Sequence, residues 1–358
     1  VISIDRSSPI ASLRAWCADV RDDRSGRCPH VAPVLGDHVS TVDVSADGGL
    51  VAAGDLDGAA VVVDLARGEV VADLARHEFG VSAVSFSPVQ GLLAVGGQDG
   101  RVRLWDAERQ RPVGESISGR GWVGGIAWRP DGSEVAAALG TTVIRLRPDG
   151  SEAMRHTGHP TTVDCLDWTP DGRRLAVGAY GGIWWYEDAT DVVKRFEWKG
   201  ALLDVAVAPN GKWVASGNQD ASVHCWRLWS AEDLEMTGYP AKVQHIAWDP
   251  TSRFLAVASL GDLTVWDFSG KGPRGSRPVQ LAGHARHVVG LAWSPNGETL
   301  ASAAADGRVS VWRPRRGGRS LLADLQIGEE LSCLAWAPDG SFLVAGGALG
   351  GLHRVDLR

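Results

Sequence analysis

With 358 residues, 44% of them hydrophobic, the chain can bury a large core, either as one big domain or as two ordinary ones. A net charge of −7 and a pI near 5.8 leave no basic footprint for nucleic acid or an anionic membrane surface. No apolar run reaches the ~18 residues of a membrane span, and the first residues lack the charged-then-apolar pattern of a secretory signal, so neither is expected.

The first 30 residues stand apart. The chain opens on Val1 rather than Met, as expected of a piece of a longer product. Ser8 as a cap and Pro9 in the first turn, followed by Ile10, Leu13, Trp16, Cys17 and Val20, predict a short amphipathic helix from about Pro9 to Arg21. Residues 1–30 are therefore read as a non-repeat arm, docking on the rest of the chain or on a partner. Cys17, Cys28 and His30 lack the close Cys pair of a zinc knuckle, so no metal is expected there. The five cysteines, an odd number and far apart, are no disulfide framework, and the default compartment is the reducing cytoplasm. Arginine outnumbers lysine 31 to five, a skew expected of a GC-rich bacterial genome.

From residue 31 onward the sequence repeats. An apolar run ends at Val44, Phe86, Trp128, Trp168, Val207, Trp248, Trp293 and Trp336, at intervals of 42, 42, 40, 39, 41, 45 and 43 residues. In most copies a turn such as Arg129-Pro130-Asp131-Gly132 follows, where Pro presets one dihedral and Gly supplies the positive one. Next comes a strand of small residues, a second turn (Asp-Gly at Asp57, Asp99 and Asp306), a third strand such as Val102–Asp106, and a looser fourth. Four strands cannot bury two apolar faces alone, but units stacked face to face around an axis can.

These units resemble WD40 repeats, with the WD dipeptide at Trp105-Asp106 and Trp266-Asp267 and Gly-His at Gly158-His159 and Gly283-His284. The resemblance implies an all-β propeller over 31–358. Seven blades are commonest in that family, but the eight copies predict eight four-stranded antiparallel blades. Val31 to Leu35 would supply the eighth outer strand and close the ring against the chain's last strand, Leu352–Leu357. The resemblance also implies a buried His, Ser/Thr, Asp and Trp network in each blade, complete here only for His284, Ser302, Asp306 and Trp312. His77, Asp99 and Trp105 have Val95 in the serine place, and Ser216, Asp220 and Trp226 lack the His. His38, in the Gly-His variant Asp37-His38, is read as sitting where the repeat expects a structural His.

No G-x-S-x-G elbow, H-E-x-x-H or P-loop occurs and no acid–base groups converge, so the chain is read as non-catalytic, with no cofactor. In a propeller the loops leading into the inner strands share one rim with the turns between second and third strands. The lead-in loops carry Phe79, Trp122, Tyr239, Arg286 and His287, and the turn tips carry Leu56, Leu139, Tyr180, Leu260 and Leu349. Aromatic and apolar residues beside Arg have the composition of an interface centre. The expectation is a scaffold whose partners are one or more proteins, a monomeric propeller within a complex, with no nucleic acid and no membrane. The alternatives are the sensing or targeting part of a longer bacterial regulatory protein and, further off, an enzyme or small-ligand site in the central channel.

Overall fold

The computed structural model describes residues 34–188, 192–230, 232–270, 272–314 and 320–357. The arm and its expected helix, with Cys17, Cys28 and His30, lie outside the described residues.

Eight antiparallel sheets follow one another along the chain, each ordered as simply as the sequence, first strand to last. Blade 1 has strands Val39–Val44, Leu50–Asp55, Ala60–Asp64 and Glu69–Asp73. The inner strands of the later blades are Val81–Phe86, Val123–Trp128, Val163–Trp168, Leu202–Val207, Val243–Trp248, Val288–Trp293 and Leu331–Trp336. Blades 1 to 7 have four strands, and blade 8 has three among the described residues. The expected closing strand falls mostly outside them, but the N–H groups of Val34 and Leu35 both donate to Gly350 O, at 3.0 and 3.2 Å. The inner strand of blade 8 packs on that of blade 1, and one apolar cluster joins Leu35, Val39 and Val51 to Phe342, Val344 and Leu352. The ring closes with eight blades, not seven.

Each second strand is buried along all or all but the first of its residues, as in Leu92–Gly97 and Trp213–Asn218. Both its faces meet a neighbouring blade, so small and β-branched residues suit it. The recurring tryptophan has a defined task. At the end of the inner strand its indole N–H crosses to a backbone carbonyl of the preceding blade: Trp128 to Ser85 (2.9 Å), Trp168 to Ala127 (3.1 Å), Trp248 to Ala206 (3.2 Å), Trp293 to Ala247 (3.1 Å) and Trp336 to Ala292 (3.0 Å). A buried indole therefore fills the inter-blade space and satisfies its one polar atom.

Candidate interaction rim

The two loop sets expected to share a rim are hydrogen-bonded to each other. Within a blade, the turn after the second strand donates to the lead-in loop: Leu56 N–H to His38 O (3.0 Å), Gln98 to Gly80 (2.8 Å), Gly140 to Trp122 (3.0 Å) and Ala348 to Glu330 (2.8 Å). Between blades, the next lead-in loop donates back, as in His77 N–H to Gly58 O (2.9 Å) and Gly119 N–H to Gly100 O (3.1 Å). Gly100 shows why glycine holds such turns. Its φ is +71°, and a Cβ there would lie 2.4 Å from Gly121 O.

On this frame the structure exposes Leu56 (47%), Phe79 (57%), Trp122 (56%), Tyr180 (53%), Leu260 (52%) and Leu349 (72%). Five of them occupy the continuous arc of blades 8, 1, 2, 3 and 4, with Leu260 across the ring on blade 6. Arg286 and His287 are exposed as well, and Arg286 is tied to Glu330 Oε2 at 2.6 Å and to Ala305 O at 3.0 Å. Leu260 has a φ of +52°, a left-handed backbone that a leucine adopts only at a cost.

Two expected rim residues sit elsewhere. Leu139 is 1% exposed. It is the last residue of its strand, paired with Thr142 and Val123, in the place that Ala179 and Ser259 hold in blades 4 and 6. The tip is Gly140-Thr141, and the one-residue difference turns the leucine inward. Tyr239 is half-buried and accepts the indole N–H of Trp266 at 2.9 Å, and burial pushes its hydroxyl pKa up to about 12. It replaces the structural His of blade 6. Likewise Leu35, not His38, fills the His place of blade 1, nine residues before the strand-end marker Val44 as His284 is before Trp293. Three further large apolar residues are exposed off this rim, Val89, Trp229 and Leu322. Trp229 was not singled out from the sequence. Its ring lies under the Arg174 guanidinium at 4.9 Å and its N–H donates to Gly211 O at 3.2 Å.

Buried networks brace the loops from below. In blade 7, Trp312 Nε1–H donates to Ser302 Oγ (2.9 Å), whose O–H faces His284 Nε2 (2.7 Å), and His284 Nδ1 lies 3.5 Å from Asp306 Oδ2. Asp306 also accepts the Ala285 and Arg308 N–H groups, fixing lead-in loop and turn together. In blade 4, Tyr186 stands in the Trp place and its hydroxyl meets His159 Nε2 at 2.9 Å. Blades 4 and 6 lack the serine (Val177, Val257), and in each a tyrosine hydroxyl supplies the missing oxygen. Blade 2 has His77 Nδ1 on Asp99 at 2.7 Å, but His77 Nε2 and Trp105 Nε1 are buried without a partner. Burial is the main cause holding the His77, His159 and His284 pKa values below the ordinary range, so the rings are neutral. In blade 8, His353 and Glu329 form a buried pair at 2.6 Å, and Glu329 also accepts the Leu349 N–H at 2.6 Å.

The inner strands of blades 4 to 6 carry Asp164, Cys165, Asp167, Asp204 and His245. Burial pushes the Cys165 thiol well up and, with the charge of His287, pulls His245 down to about 4. A nucleophilic thiolate needs the opposite shift. Among the described residues no group of three or more His, Cys, Asp or Glu side chains is placed to hold a metal ion.

Comparison with known proteins places this geometry. The solved structure of a computationally designed protein, Ika8, superposes with a TM-score of 0.76 at 20% identity, covering 90% of this chain and 97% of that one. The C-terminal WD40 domain of Sif2 gives 0.75 at 16% identity, covering 91% and 98%. Among curated sequences, Protein FIZZY-RELATED 2 of Arabidopsis thaliana is 26% identical over 66% of this chain and 50% of its own length. The anaphase-promoting complex subunit cdc20 of Dictyostelium discoideum is 26% identical over 65% and 48%. The chain thus spans about half the length of these curated relatives. Both come from eukaryotes and lend no support to the bacterial origin expected from the arginine excess. The family profile for the WD domain, G-beta repeat, matches residues 68–106, 150–184, 192–227, 233–267, 275–313 and 326–352, and passes over most of blades 1 and 3, where Val63 and Leu146 stand in the Trp place. With the profile matching more than half of its length and an eight-bladed ring as its fold, this chain belongs to the WD40 repeat family.

Proposed function

We propose that the protein is a non-catalytic interaction scaffold that binds protein partners through the rim bearing Leu56, Phe79, Trp122, Tyr180, Leu260 and Leu349. The observation that carries this reading is the clustering of exposed apolar side chains. Six of the nine large hydrophobics exposed among the described residues lie on this one rim, each roughly half or more exposed. Single exposed leucines are ordinary, but a shared aromatic and apolar face marks an interface. The left-handed Leu260 adds support, because local strain is retained where a side chain must be presented. The relative named as a subunit of the anaphase-promoting complex fits the same class of role, a propeller working inside an assembly. A reducing, cytoplasmic setting is part of the reading and agrees with the free thiols of Cys165, Cys225 and Cys333.

The test is affinity capture from the native host with the wild-type chain and with a Phe79→Ala, Trp122→Ala, Tyr180→Ala variant of equal thermal stability. Loss of a reproducible set of partners from the variant is expected. Unchanged recovery by the folded variant rejects the rim.

A further inference from the structure

We propose that the tip of blade 2 is the docking point of the rim and that its occupant is a short partner segment pairing an aromatic or large apolar residue with neighbouring acidic residues. This rests on the rim reading above and names the chemistry of the partner.

The argument starts from how the tip is held. Gln98 N–H donates to Gly80 O in the loop carrying Phe79, and Gly119 N–H donates to Gly100 O from the loop carrying Trp122. The two aromatic residues therefore flank the tip, one on each side, both more than half exposed. The Asp99 carboxylate accepts the N–H groups of Glu78 (3.2 Å) and Arg101 (3.1 Å) while holding His77. Tip and lead-in loop are thus fixed before any partner arrives, which lowers the ordering cost of binding.

Charge then selects the occupant. Four arginines surround this tip. Arg76 is paired with Asp57, and Arg103 donates to Ala75 O with Asp99 3.9 Å away. Arg101 and Arg120 are exposed and have no ion-pair or hydrogen-bond partner for their side chains among the described residues. Glu78 likewise has no side-chain partner among the described residues, so within residues 76–80, 98–101 and 119–122 the unpaired charges are two positive and one negative, on a chain whose net charge is −7. Elsewhere the rim arginine Arg286 is neutralised by Glu330. Two free guanidiniums on the tip and lead-in loop that also carry or adjoin the two exposed aromatic residues complement an acidic segment with an apolar anchor, the anchor giving affinity and the charges steering and registering it. A polyanion such as RNA fits less well, because an acidic chain repels it beyond the tip.

The experiment pans a displayed library of random short peptides on the full chain and measures selected peptides by fluorescence polarisation. Enriched sequences are expected to carry an aromatic or large apolar residue beside Asp or Glu. Trp122→Ala is expected to weaken them by at least about thirtyfold. Arg101→Glu with Arg120→Glu, exposed changes whose folding is checked by thermal melting, is expected to weaken them about tenfold or more and to redirect panning towards Lys- and Arg-bearing peptides. Peptides that need Phe79 and Trp122 but show no acidic bias, or ignore the charge reversal, overturn this inference while sparing the rim. Peptides indifferent to Phe79→Ala, Trp122→Ala and Tyr180→Ala overturn both. No enrichment on the wild type overturns the docking of a short segment, and tighter binding of an oligouridine probe through the same arginines overturns the choice of a peptide.

Discussion

The carboxylate of Asp167 accepts the backbone N–H of Val207 across the joint between blades 4 and 5, at 2.8 Å. Asp43 does the same for Phe86 between blades 1 and 2, at 2.7 Å. Both joints lack the indole that spans five others, because Val207 and Phe86 stand where those have Trp. The residue before the marker is Ser85, Ala127, Ala206, Ala247 or Ala292 where an indole arrives from the next blade, and Asp43 or Asp167 at these two joints. At these two joints a carboxylate reaches forward across the gap, where at the five others an indole reaches back.

These inner-strand carboxyls make a pH-dependent contribution of known sign. Burial pushes the Asp43 carboxyl up to about 6 and those of Asp167 and Asp204 up to about 7, overcoming the N–H bonds that pull down. Between the ordinary carboxyl range near 4 and these values the three carboxyls hold more protons in the folded state than in the unfolded one, so their contribution to stability falls as pH rises through about 4–7 and levels off above. His77, His159, His224, His245 and His284, held below the ordinary range by burial, act in the opposite sense as pH rises towards about 6.5. Asp47, Asp99 and Asp106 are lowered instead, so their stabilisation is lost only as pH falls below the ordinary range, outside that window. Asp167→Asn keeps an acceptor oxygen and removes the charge. From about pH 4 to pH 8 the melting temperature of the variant is expected to rise relative to that of the wild type, with the largest gain at the alkaline end. Parallel profiles would show that Asp167 does not titrate in this window.

Blade 2 has a repairable flaw. Val95 occupies the position of Ser302, each pairing with the residue two before the strand-end marker. Without the hydroxyl, Trp105 Nε1–H has no acceptor and His77 Nε2 no donor. A buried orphan costs about 1–3 kcal/mol. Val95→Thr keeps the branched shape and adds one oxygen able to accept from Trp105 and donate to His77. It is expected to raise stability by about 1 kcal/mol in chemical denaturation, whereas Val95→Ala, which only empties space, should cost about 1–2 kcal/mol. Destabilisation by Thr would mean that its hydroxyl cannot reach both nitrogens.

The ring and its count were legible because iteration multiplies a weak local signal: any one turn is ambiguous, but eight at a near-constant interval are not. The His284, Ser302, Asp306 and Trp312 network was legible for the same reason. Leu139 was misplaced because two-residue turns leave the tip uncertain by one position, and period-two alternation converts that slip into the opposite face. Tyr239 read as a loop aromatic because its purpose lies in what Val257 lacks, an oxygen two strands away. The sequence does contain that signal, a valine in the serine place with Trp266 retained. Asp43 and Asp167 were missed because an Asp at a strand end reads as a solvated turn residue until the next blade is laid against it.

Leu260 sets stability against binding. Its left-handed φ of +52° costs a leucine roughly 1 kcal/mol relative to glycine. Leu260→Gly is expected to raise the melting temperature slightly or leave it unchanged, and to weaken partner capture. If capture is unaffected while stability rises, the exposed side chain has no part in binding and the strain is incidental.

The joint between blades 8 and 1 is the one with neither device. Val44 brings no indole to it, and Ala335, before Trp336, brings no carboxylate. What crosses instead is Ser332, whose hydroxyl contacts Val39 O in blade 1 and Gly346 O in its own blade, with the Val34 and Leu35 N–H groups on Gly350 O at the rim. Ser82, at the same strand position in blade 2, bonds only Gly96 O within its own blade, at 3.2 Å. Ring opening is therefore expected to start at this joint, where blades 8 and 1 meet without the connecting segment that joins consecutive blades. Ser332→Ala should cost about 1–2 kcal/mol, and Ser82→Ala less than about 0.5 kcal/mol. Hydrogen exchange should quicken in Val39–Val44 and Leu331–Trp336 of the first variant before other inner strands respond. Uniform quickening around all eight blades would mean that the ring opens as one unit, with no weakest joint.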